Sequence, residues 1–348
     1  NSATFYDFRC SSLGDRYRCQ VNHFQLRDLI SATSNYDVYY YHPDGIQRWN
    51  PWQRSCKCVL SRAEMPRSFR LSSLCVDRGI VFAGDYRGRY CLKSLWADKS
   101  SGSAASVVVE DASFAGSGND IANHATPCSS RSGALQIMVS HNNGFLRQLD
   151  VQGLQVVGTL PFEWAVNCSA TTTDRSLDCV VGDCLDSLLL DRRQKPGAVV
   201  SKLSGHRDFS FACSFSPDGR LVATGSQDTS ARVYDVRWTQ QTLATLCGHI
   251  GAMRVVKFSS DGRFLMAAEP ADYVHVYDAH TFARSQEISF MGETSGATFS
   301  PDSNCLFVGI SDTLHGNLLA EFTTAQCNDS FRGDTLDKDS IGRSYSYM

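Results

Sequence analysis

The stretch from Gly205 to Asp235, GHRDFSFACSFSPDGRLVATGSQDTSARVYD, aligns without a gap with the stretch from Gly248 to Asp278, GHIGAMRVVKFSSDGRFLMAAEPADYVHVYD. In both, a Gly-His pair is followed by an Asp-Gly turn and then by a Tyr-Asp pair. Each landmark is displaced by 43 residues, as from His206 to His249. A repeat of roughly 40–45 residues with this punctuation predicts a unit of short antiparallel strands.

Weaker copies of the unit continue on both sides of this pair. Downstream, Asp302 of a Ser-Pro-Asp turn follows the second copy, and upstream Asp174 and Asp191 precede Asp218 and Asp235 by 44 residues. Further back, Asp-Gly and Arg-Gly turns separate runs rich in Tyr, Val, Leu and Cys. We count seven units, at about 24–50, 69–97, 119–150, 160–191, 206–235, 249–278 and 292–322.

The composition of each unit suits four short strands joined by tight turns, because Gly accepts a positive φ and β-branched or aromatic residues favour half-buried sheets. One such sheet cannot bury both of its faces, whereas a closed ring of seven can. The sequence therefore predicts an all-β, seven-bladed propeller over 24–322. Residues 1–23 are expected to donate the strand that closes the ring. The polar segment 98–120 reads as an insertion, and 323–348 as a polar tail in which Tyr345 and Tyr347 can dock.

Charge and cysteine content narrow the class of protein. The chain of 348 residues carries 33 basic and 36 acidic residues with no long run of one sign, which argues against general nucleic-acid binding. Its 14 cysteines are scattered through apolar runs, so we expect reduced core thiols and a cytoplasmic or nuclear location. No run of about 18 apolar residues exists, and no membrane partner is expected. The chain does not begin with Met, which leaves open whether residue 1 is the native start.

The repeat resembles the WD40 family, with Tyr-Asp where the family usually has Trp-Asp. The resemblance implies a structural hydrogen-bond network that ties a loop to each blade. Its members in the first copy are His206, Asp228 and Tyr234, with Thr224 or Ser226 supplying the hydroxyl; His249 and Tyr277 are their counterparts in the second. The second copy departs from the pattern, because Thr224 and Asp228 become alanines, and we expect its network to be incomplete.

A closer resemblance is carried by the blocks FQLRDLI (24–30), ATSNYDVY (32–39), GHRDFSFA (205–212), AEPADYVHVYD (268–278) and GETSGATFSPD (292–302). They are similar to an uncharacterised family of single-propeller WD-repeat proteins of plants and fungi. That family has no assigned activity, so the resemblance supports the fold and leaves the function open.

Catalytic and metal-binding motifs are missing from the sequence. There is no nucleophile elbow, no HExxH, no Walker loop and no dinucleotide-binding fingerprint. Cys56-x-Cys58 has no second pair at zinc-finger spacing, nor has Cys179-x4-Cys184. We therefore predict a protein that is not an enzyme, with no cofactor and no metal, and that acts as a scaffold for other proteins.

Loops at the ends of a propeller are the expected contact surfaces. Glu269 and Asp272 flank a Pro turn that folding alone explains least, and two carboxylates there suit a basic partner. A position in the core is the alternative interpretation of Phe209, since Phe209, Phe211 and Phe215 alternate along the chain and would lie on the same face of a strand. The candidate partner-binding residues are Trp164, Asn167, Asp208, Phe209, Glu269, Asp272, Tyr273 and Glu293.

One narrower hypothesis concerns Arg237. The run Val233–Arg237 with Asp228 resembles the WDxR box of substrate receptors of cullin-4 ubiquitin ligases. That resemblance implies that Arg237 contacts the ligase adaptor. An exposed arginine at a strand end is the alternative interpretation, because the other positions of the box are ordinary repeat residues.

Overall fold

The computed structural model describes residues 3–13, 17–96, 107–109, 120–130, 132–194, 197–312 and 317–324. Within these ranges the backbone forms 27 strands and a turn of 3₁₀ helix at Arg62–Glu64, and it contains no α-helix. The tail beyond residue 324 lies outside the described residues, as does most of the 98–120 segment.

Five sheets have four antiparallel strands each, arranged in chain order. They are formed by β2 (Ile30–Ser34), β3 (Asp37–His42), β4 (Gly45–Asn50) and β5 (Ser55–Ser61); β6 (Leu71–Asp77), β7 (Ile80–Asp85), β8 (Tyr90–Ser94) and β9 (Val107–Val109); β10 (Ala122–Ser129), β11 (Leu135–His141), β12 (Phe145–Asp150) and β13 (Gln155–Pro161); β14 (Val166–Thr171), β15 (Leu177–Gly182), β16 (Ser187–Asp191) and β17 (Val199–Leu203); and β18 (Ser210–Phe215), β19 (Leu221–Ser226), β20 (Ser230–Asp235) and β21 (Ala244–Cys247).

The sixth sheet contains two blades that share one long strand. Its members are β22 (Val255–Phe258), β23 (Phe264–Ala268), β24 (Ala271–Asp278), β25 (Ser285–Phe299), β26 (Cys305–Ser311), β27 (Leu318–Thr324) and β1 (Tyr6–Leu13). The first part of β25 pairs with β24 as the outer strand of blade six, and its last part pairs with β26 as the inner strand of blade seven. The molecule is thus a seven-bladed β-propeller, as the repeat predicted.

The ring closes between the last blade and the first. Strand β1 pairs antiparallel with β27 and completes blade seven from the N-terminal side. Tyr6 of β1 is buried, and its hydroxyl donates to the carbonyl of Ser303 at 2.6 Å. At the seam, the rings of Trp49 and Phe307 pack edge to face with centroids 6.1 Å apart. Each inner strand also contacts the next around the ring, and β25 contacts β2.

The core lies between neighbouring blades. In one cluster, Cys168 and Val181 of blade four pack against Cys213, Val222 and Tyr234 of blade five. All described cysteines are free thiols, and most of them are buried in such clusters. The packing explains why the repeat is rich in small and β-branched apolar residues, since each sheet must present two apolar faces.

Polar side chains add a repeated tie between blades. Ser72 donates to the carbonyl of Ala122 on the next inner strand at 2.8 Å, and Asn123 donates to the carbonyl of Val166 at 3.0 Å. Asn167 makes the same contact to the carbonyl of Ser210 at 3.0 Å. These bonds satisfy inner-strand carbonyls that are buried in the ring, and unsatisfied ones would be costly.

Candidate binding face at the mouth of the central channel

The inner strands of six blades line a central cavity of about 260 Å³; they are β2, β6, β10, β14, β18 and β22. Its walls are mostly apolar, but its lining also includes the charged or ionisable side chains Asp28, His124, Arg254 and Lys257 and three cysteines. Lys257 Nζ lies 2.7 Å from Asp28 Oδ1, and His124 Nε2 lies 3.2 Å from Asp28 Oδ2. Burial would raise the pKa of Asp28, but Lys257 and His124 hold it below its usual value. The carboxylate is therefore ionised and fully paired.

Two thiols continue this cluster. Cys168 Sγ lies 3.4 Å from His124 Nδ1 and 3.8 Å from Cys213 Sγ. A hydrogen bond from Cys213, opposed by burial and assisted by His124, lowers the pKa of Cys168. Burial opposes protonation of His124, but Cys168 and Asp28 raise its pKa to about 10. The contact between His124 and Cys168 thus raises the pKa of the imidazole and lowers the pKa of the thiol inside the channel.

The mouth of the channel is the end at which loops enter the inner strands, and two arginines are buried there. Arg27 is 4% exposed and Arg254 is 7% exposed. Arg27 Nη2 pairs with Glu293 at 3.2 Å, and Arg254 Nη2 donates to Gln227 at 2.8 Å. Arg27 Nη1 and Arg254 Nε and Nη1 find no acceptor among the described residues. The mouth therefore carries buried cationic N–H groups without an acceptor among the described side chains and backbone, and the Arg254 guanidinium also lies over the Phe211 ring, 3.9 Å from its centroid.

The positive charges of the Arg27 and Arg254 guanidinium groups also interact. Burial and the charge of Arg27 lower the pKa of Arg254 to about 10, although Asp208 opposes the shift. Burial together with Arg254, Arg27 and Arg70 lowers the pKa of His23 in the neighbouring loop. A positive potential thus collects at this end of the ring, and it favours the binding of an anion.

Exposed apolar side chains lie in the same set of loops. Phe24 is 66% exposed, Ile250 63% and Met291 71%, in the segments that lead into β2, β22 and the inner part of β25. Phe209 precedes β18 and is also exposed. Large apolar side chains exposed together around one feature mark interaction surfaces more often than isolated ones do.

Blade five holds the hydrogen-bond network that the resemblance implied. His206 Nδ1 lies 3.0 Å from Asp228 Oδ2, and His206 Nε2 lies 2.9 Å from Thr224 Oγ1. Ser226 Oγ donates instead to the carbonyls of the loop at Asp208 and Phe209. The hydroxyl of Tyr234 donates to the carbonyl of Ser204 at 3.1 Å. Burial opposes ionisation of Asp228, but bonds from Ser230, the Arg207 N–H and His206 lower its pKa to about 2.

Blade six builds the equivalent tie from a different residue. Glu269 is completely buried, and its carboxylate accepts hydrogen bonds from the backbone N–H groups of His249, Ile250 and Gly251 at 2.6–2.9 Å. His275 Nε2 lies 2.8 Å from the same carboxylate. The expectation that Glu269 contacts a partner is therefore corrected, because its oxygens are occupied inside the blade.

His249 also differs from the expected network. The His249 side chain turns outward and is half exposed, with Nε2 at 2.5 Å from Glu287 Oε2. The buried histidine that contacts the acidic residue in blade six is His275 of β24, which aligns with Arg232 of blade five. Tyr277 is buried in the apolar cluster between blades five and six. The sequence missed His275 because its partner Glu269 was assigned to the surface.

The remaining candidates fall into two groups. Asn167 is buried in the inter-blade tie described above, and it also donates to Asp183 at 2.9 Å, so we no longer count it as a surface contact. Trp164 is partly buried against Phe162, with ring centroids 5.0 Å apart. Asp208, Phe209, Asp272, Tyr273 and Glu293 lie near the mouth end and are at least partly exposed.

Asp272 and Tyr273 are partly committed to their own blade. Asp272 has a φ of +68°, and its carboxylate accepts a hydrogen bond from the N–H of Gly292 at 3.0 Å. Tyr273 packs against the ring of His249, with centroids 4.9 Å apart. Glu269 and Asp272 therefore do not form the exposed acidic pair that was expected to attract a basic partner, since Glu269 is buried and Asp272 fixes a turn.

Arg237 lies in the turn between β20 and β21, at the other end of the ring. Its guanidinium is exposed but held by Asp235, with contacts of 3.0 and 2.8 Å. Asp235 also binds Arg220 at 3.0 Å.

Sequence reasoning did not single out Arg27, Arg254 or Lys257 as functional. The signal was present in the repeat, because Arg254 and Lys257 stand where the first copy has Phe211 and Ser214. A charge at an inner-strand position of one copy marks a residue that faces the channel or its mouth.

Comparison with known proteins agrees with this architecture. Residues 197–235 match the family model described as WD domain, G-beta repeat. The chain is a seven-bladed WD40 β-propeller. The matched range covers the last strand of blade four and most of blade five, where His206 binds both Thr224 and Asp228.

Relatives of this WD40 propeller fall into two kinds. An uncharacterised protein of Schizosaccharomyces pombe is 24% identical over 298 residues, which cover 82% of this chain and 81% of that protein. It confirms the resemblance to an uncharacterised fungal protein. Pre-mRNA-processing factor 19 of Oryza sativa subsp. japonica is 32% identical over 117 residues, and Coronin-7 of Bos taurus 38% over 76 residues. These two matches cover 22% and 8% of the relatives' lengths, so they concern the repeat region alone.

No helix in the described part of this WD40 propeller is long and apolar enough to cross a membrane.

Proposed function

We propose that this propeller is a non-catalytic scaffold that holds an acidic segment of a partner protein over the mouth of its channel. The supporting observation is the pair Arg27 and Arg254, both buried and both with guanidinium N–H groups that have no acceptor. Leaving such charged donors unsatisfied is costly, and a carboxylate or phosphate group would satisfy several of them at once.

The surrounding loops supply the rest of a protein-binding surface. Phe24, Phe209, Ile250 and Met291 present apolar area around the arginines. Interfaces typically combine a few such anchors with a desolvated polar contact at their centre. An acidic side chain of the partner would enter the mouth while its apolar neighbours cover these residues.

A catalytic alternative rests on the contact of Cys168 with His124, which resembles the pairing of a nucleophilic thiol with its base. Cys168, however, is buried and packs against Cys213. The cavity of about 260 Å³ is also small for a substrate site, since ligand pockets usually measure roughly 300–1,000 Å³. We therefore assign these groups a structural role.

The proposal is tested with the full chain and fluorescent peptides that carry glutamate, phosphoserine or glutamine in one apolar context. We expect the glutamate and phosphoserine peptides to bind and the glutamine peptide to bind at least about tenfold more weakly. Arg27→Met and Arg254→Met should each reduce binding about tenfold or more, while keeping the apolar stem of the side chain.

The matched control is Arg207→Met, because Arg207 is exposed in a loop at the same end. It should leave affinity within about twofold. Equal binding of all three peptides, or an equal effect of all three variants, would exclude the acidic-segment proposal. Phosphoserine-only binding would show that a phosphorylated partner is the ligand.

The cellular setting is part of the proposal. Local similarity to pre-mRNA-processing factor 19 supports a nuclear assembly, and a cytoplasmic location is the alternative. Proximity labelling with the wild type and Arg254→Met would report the compartment and identify partners that depend on the mouth. Labelling confined to secretory compartments would contradict both locations.

The hypothesis that Arg237 contacts a cullin-4 ligase adaptor stays a prediction. Arg237 is exposed, but Asp235 already binds its guanidinium, and no other contact in the described structure favours an adaptor. A pull-down comparing wild type with Arg237→Ala decides it. Equal adaptor recovery, or recovery from neither, ends the hypothesis.

A further inference from the structure

Blade six carries a cluster of metal-ligand atoms that the proposed partner binding does not use. One ligand atom from each of His249, His275 and Glu287 lies within 4.8 Å of the other two. Among the described residues, this is the one group of three or more histidine, cysteine, aspartate or glutamate side chains whose ligand atoms come this close together.

Strand pairing and one buried carboxylate bring the three residues together. His275 on β24 is the direct cross-strand partner of Glu287 on β25, so their side chains share one face of the sheet. His249 belongs to the loop that leads into β22, and Glu269 holds that loop through the His249, Ile250 and Gly251 N–H groups. The rings of His249 and His275 have centroids 5.3 Å apart.

We propose that His249, His275 and Glu287 bind one divalent transition-metal ion, with zinc as the best match. Two imidazoles and one carboxylate are a ligand set that zinc takes in proteins, with a fourth position left to water or to a partner's side chain. His249 and Glu287 are each about half exposed, so they can adjust their rotamers and leave the ion an entry path from solvent.

The residue behind the cluster has the geometry of a second ligand shell. Glu269 binds His275 Nε2 at 2.8 Å, which orients the ring and leaves Nδ1 as the nitrogen without that bond. Metal-bound histidines commonly use their other ring nitrogen in this way, and the carboxylate makes the imidazole a better ligand. Because Glu269 also fixes the loop, the site is assembled before the ion arrives.

The simpler explanation is a hydrogen-bonded pair of His249 and Glu287 at 2.5 Å, with the Tyr273 ring packed beside it. In that case the cluster needs no ion. A metal ion would take the place of the proton that His249 and Glu287 share, whereas a simple hydrogen-bonded pair would bind no ion. A metal titration therefore distinguishes the two explanations.

The test uses the full chain, freed of metal with a chelator and titrated with Co²⁺ or Zn²⁺ alone in the absence of any peptide. We expect one Co²⁺ per chain with visible d–d absorption and no thiolate charge-transfer band, as nitrogen and oxygen ligands require. Zinc should displace cobalt and raise the Tm, since it binds the folded chain preferentially. His249→Ala and Glu287→Gln should each weaken zinc affinity at least about tenfold.

His280→Ala is the matched control, because His280 is an exposed histidine of the same blade. It should bind zinc like the wild type. Metal-free thermal unfolding of each variant verifies that the fold is intact. Zinc affinity unchanged by His249→Ala would place the ion at another site, and a cobalt spectrum dominated by thiolate bands would assign it to exposed cysteines. Either outcome overturns the proposal. Neither outcome bears on Arg27 and Arg254, so the two proposals fail independently.

Discussion

At the scale of single residues, blades five and six solve the same problem with different side chains. In blade five, Asp228 accepts the Arg207 N–H and fixes His206. In blade six, Ala271 stands at the position of Asp228, and Glu269 reaches the loop from two residues earlier in its strand connection. The longer side chain compensates for the earlier position, so the loop is held although the motif is lost.

Glu269→Ala should therefore be among the more damaging substitutions in the ring. It removes the buried acceptor of three backbone N–H groups and of the buried His275 ring, and we expect a loss of about 3–5 kcal/mol in the free energy of unfolding. Urea denaturation measures it, with Glu163→Ala as control because Glu163 is exposed. The control should stay within about 0.5 kcal/mol. A loss below about 1 kcal/mol for Glu269→Ala would mean that the loop is held by other contacts.

At the scale of elements, the most regular feature is the turn that joins the inner strand of a blade to the next strand of the same blade. Ser216, Ser259 and Ser300 each donate a hydroxyl to the Asp two residues on, at about 2.5–2.6 Å. Each serine also accepts the N–H that begins the next strand, at 2.8–2.9 Å. The Ser-x-Asp pattern thus fixes where one strand ends and the next begins. This is why these turns could be predicted from the sequence.

At the scale of the whole molecule, the ring depends on contacts between segments that are far apart in the chain. Strand β1 completes blade seven, and Gln286 binds the backbone of Phe5 and Tyr6 at 2.8 Å. The seam on the other side of that blade consists of Trp49 against Phe307. Blade seven is therefore complete only with residues from both ends of the chain.

Deleting residues 1–13 should destabilise the entire ring. The deletion removes the Tyr6 side chain and the outer strand of blade seven, and we expect a loss of at least about 3 kcal/mol, the cost of one large buried aromatic. Hydrogen exchange should accelerate in β14–β16, across the ring, as well as in β27. Unchanged protection of β14–β16 would show that the blades unfold separately and that closure contributes little.

The repeat of 43 residues, the turns and the strand composition are local properties, and they determined the propeller, the number of blades and the blade-five residues that bind His206. Local patterns work here because each blade uses the same strand pairing over a short stretch of chain. What surrounds the channel mouth depends on which inner-strand positions meet across the ring, and no local pattern encodes that.

Only the tertiary structure therefore decided that Arg27 and Arg254 share one mouth, that Asp28 lies between Lys257 and His124, and that Glu269 points inward. The first two cases join residues more than 90 positions apart. In the third case, the conformation of one turn decides whether the Glu269 carboxylate faces solvent or the core. The N–H groups of the neighbouring loop stabilise the carboxylate in the core.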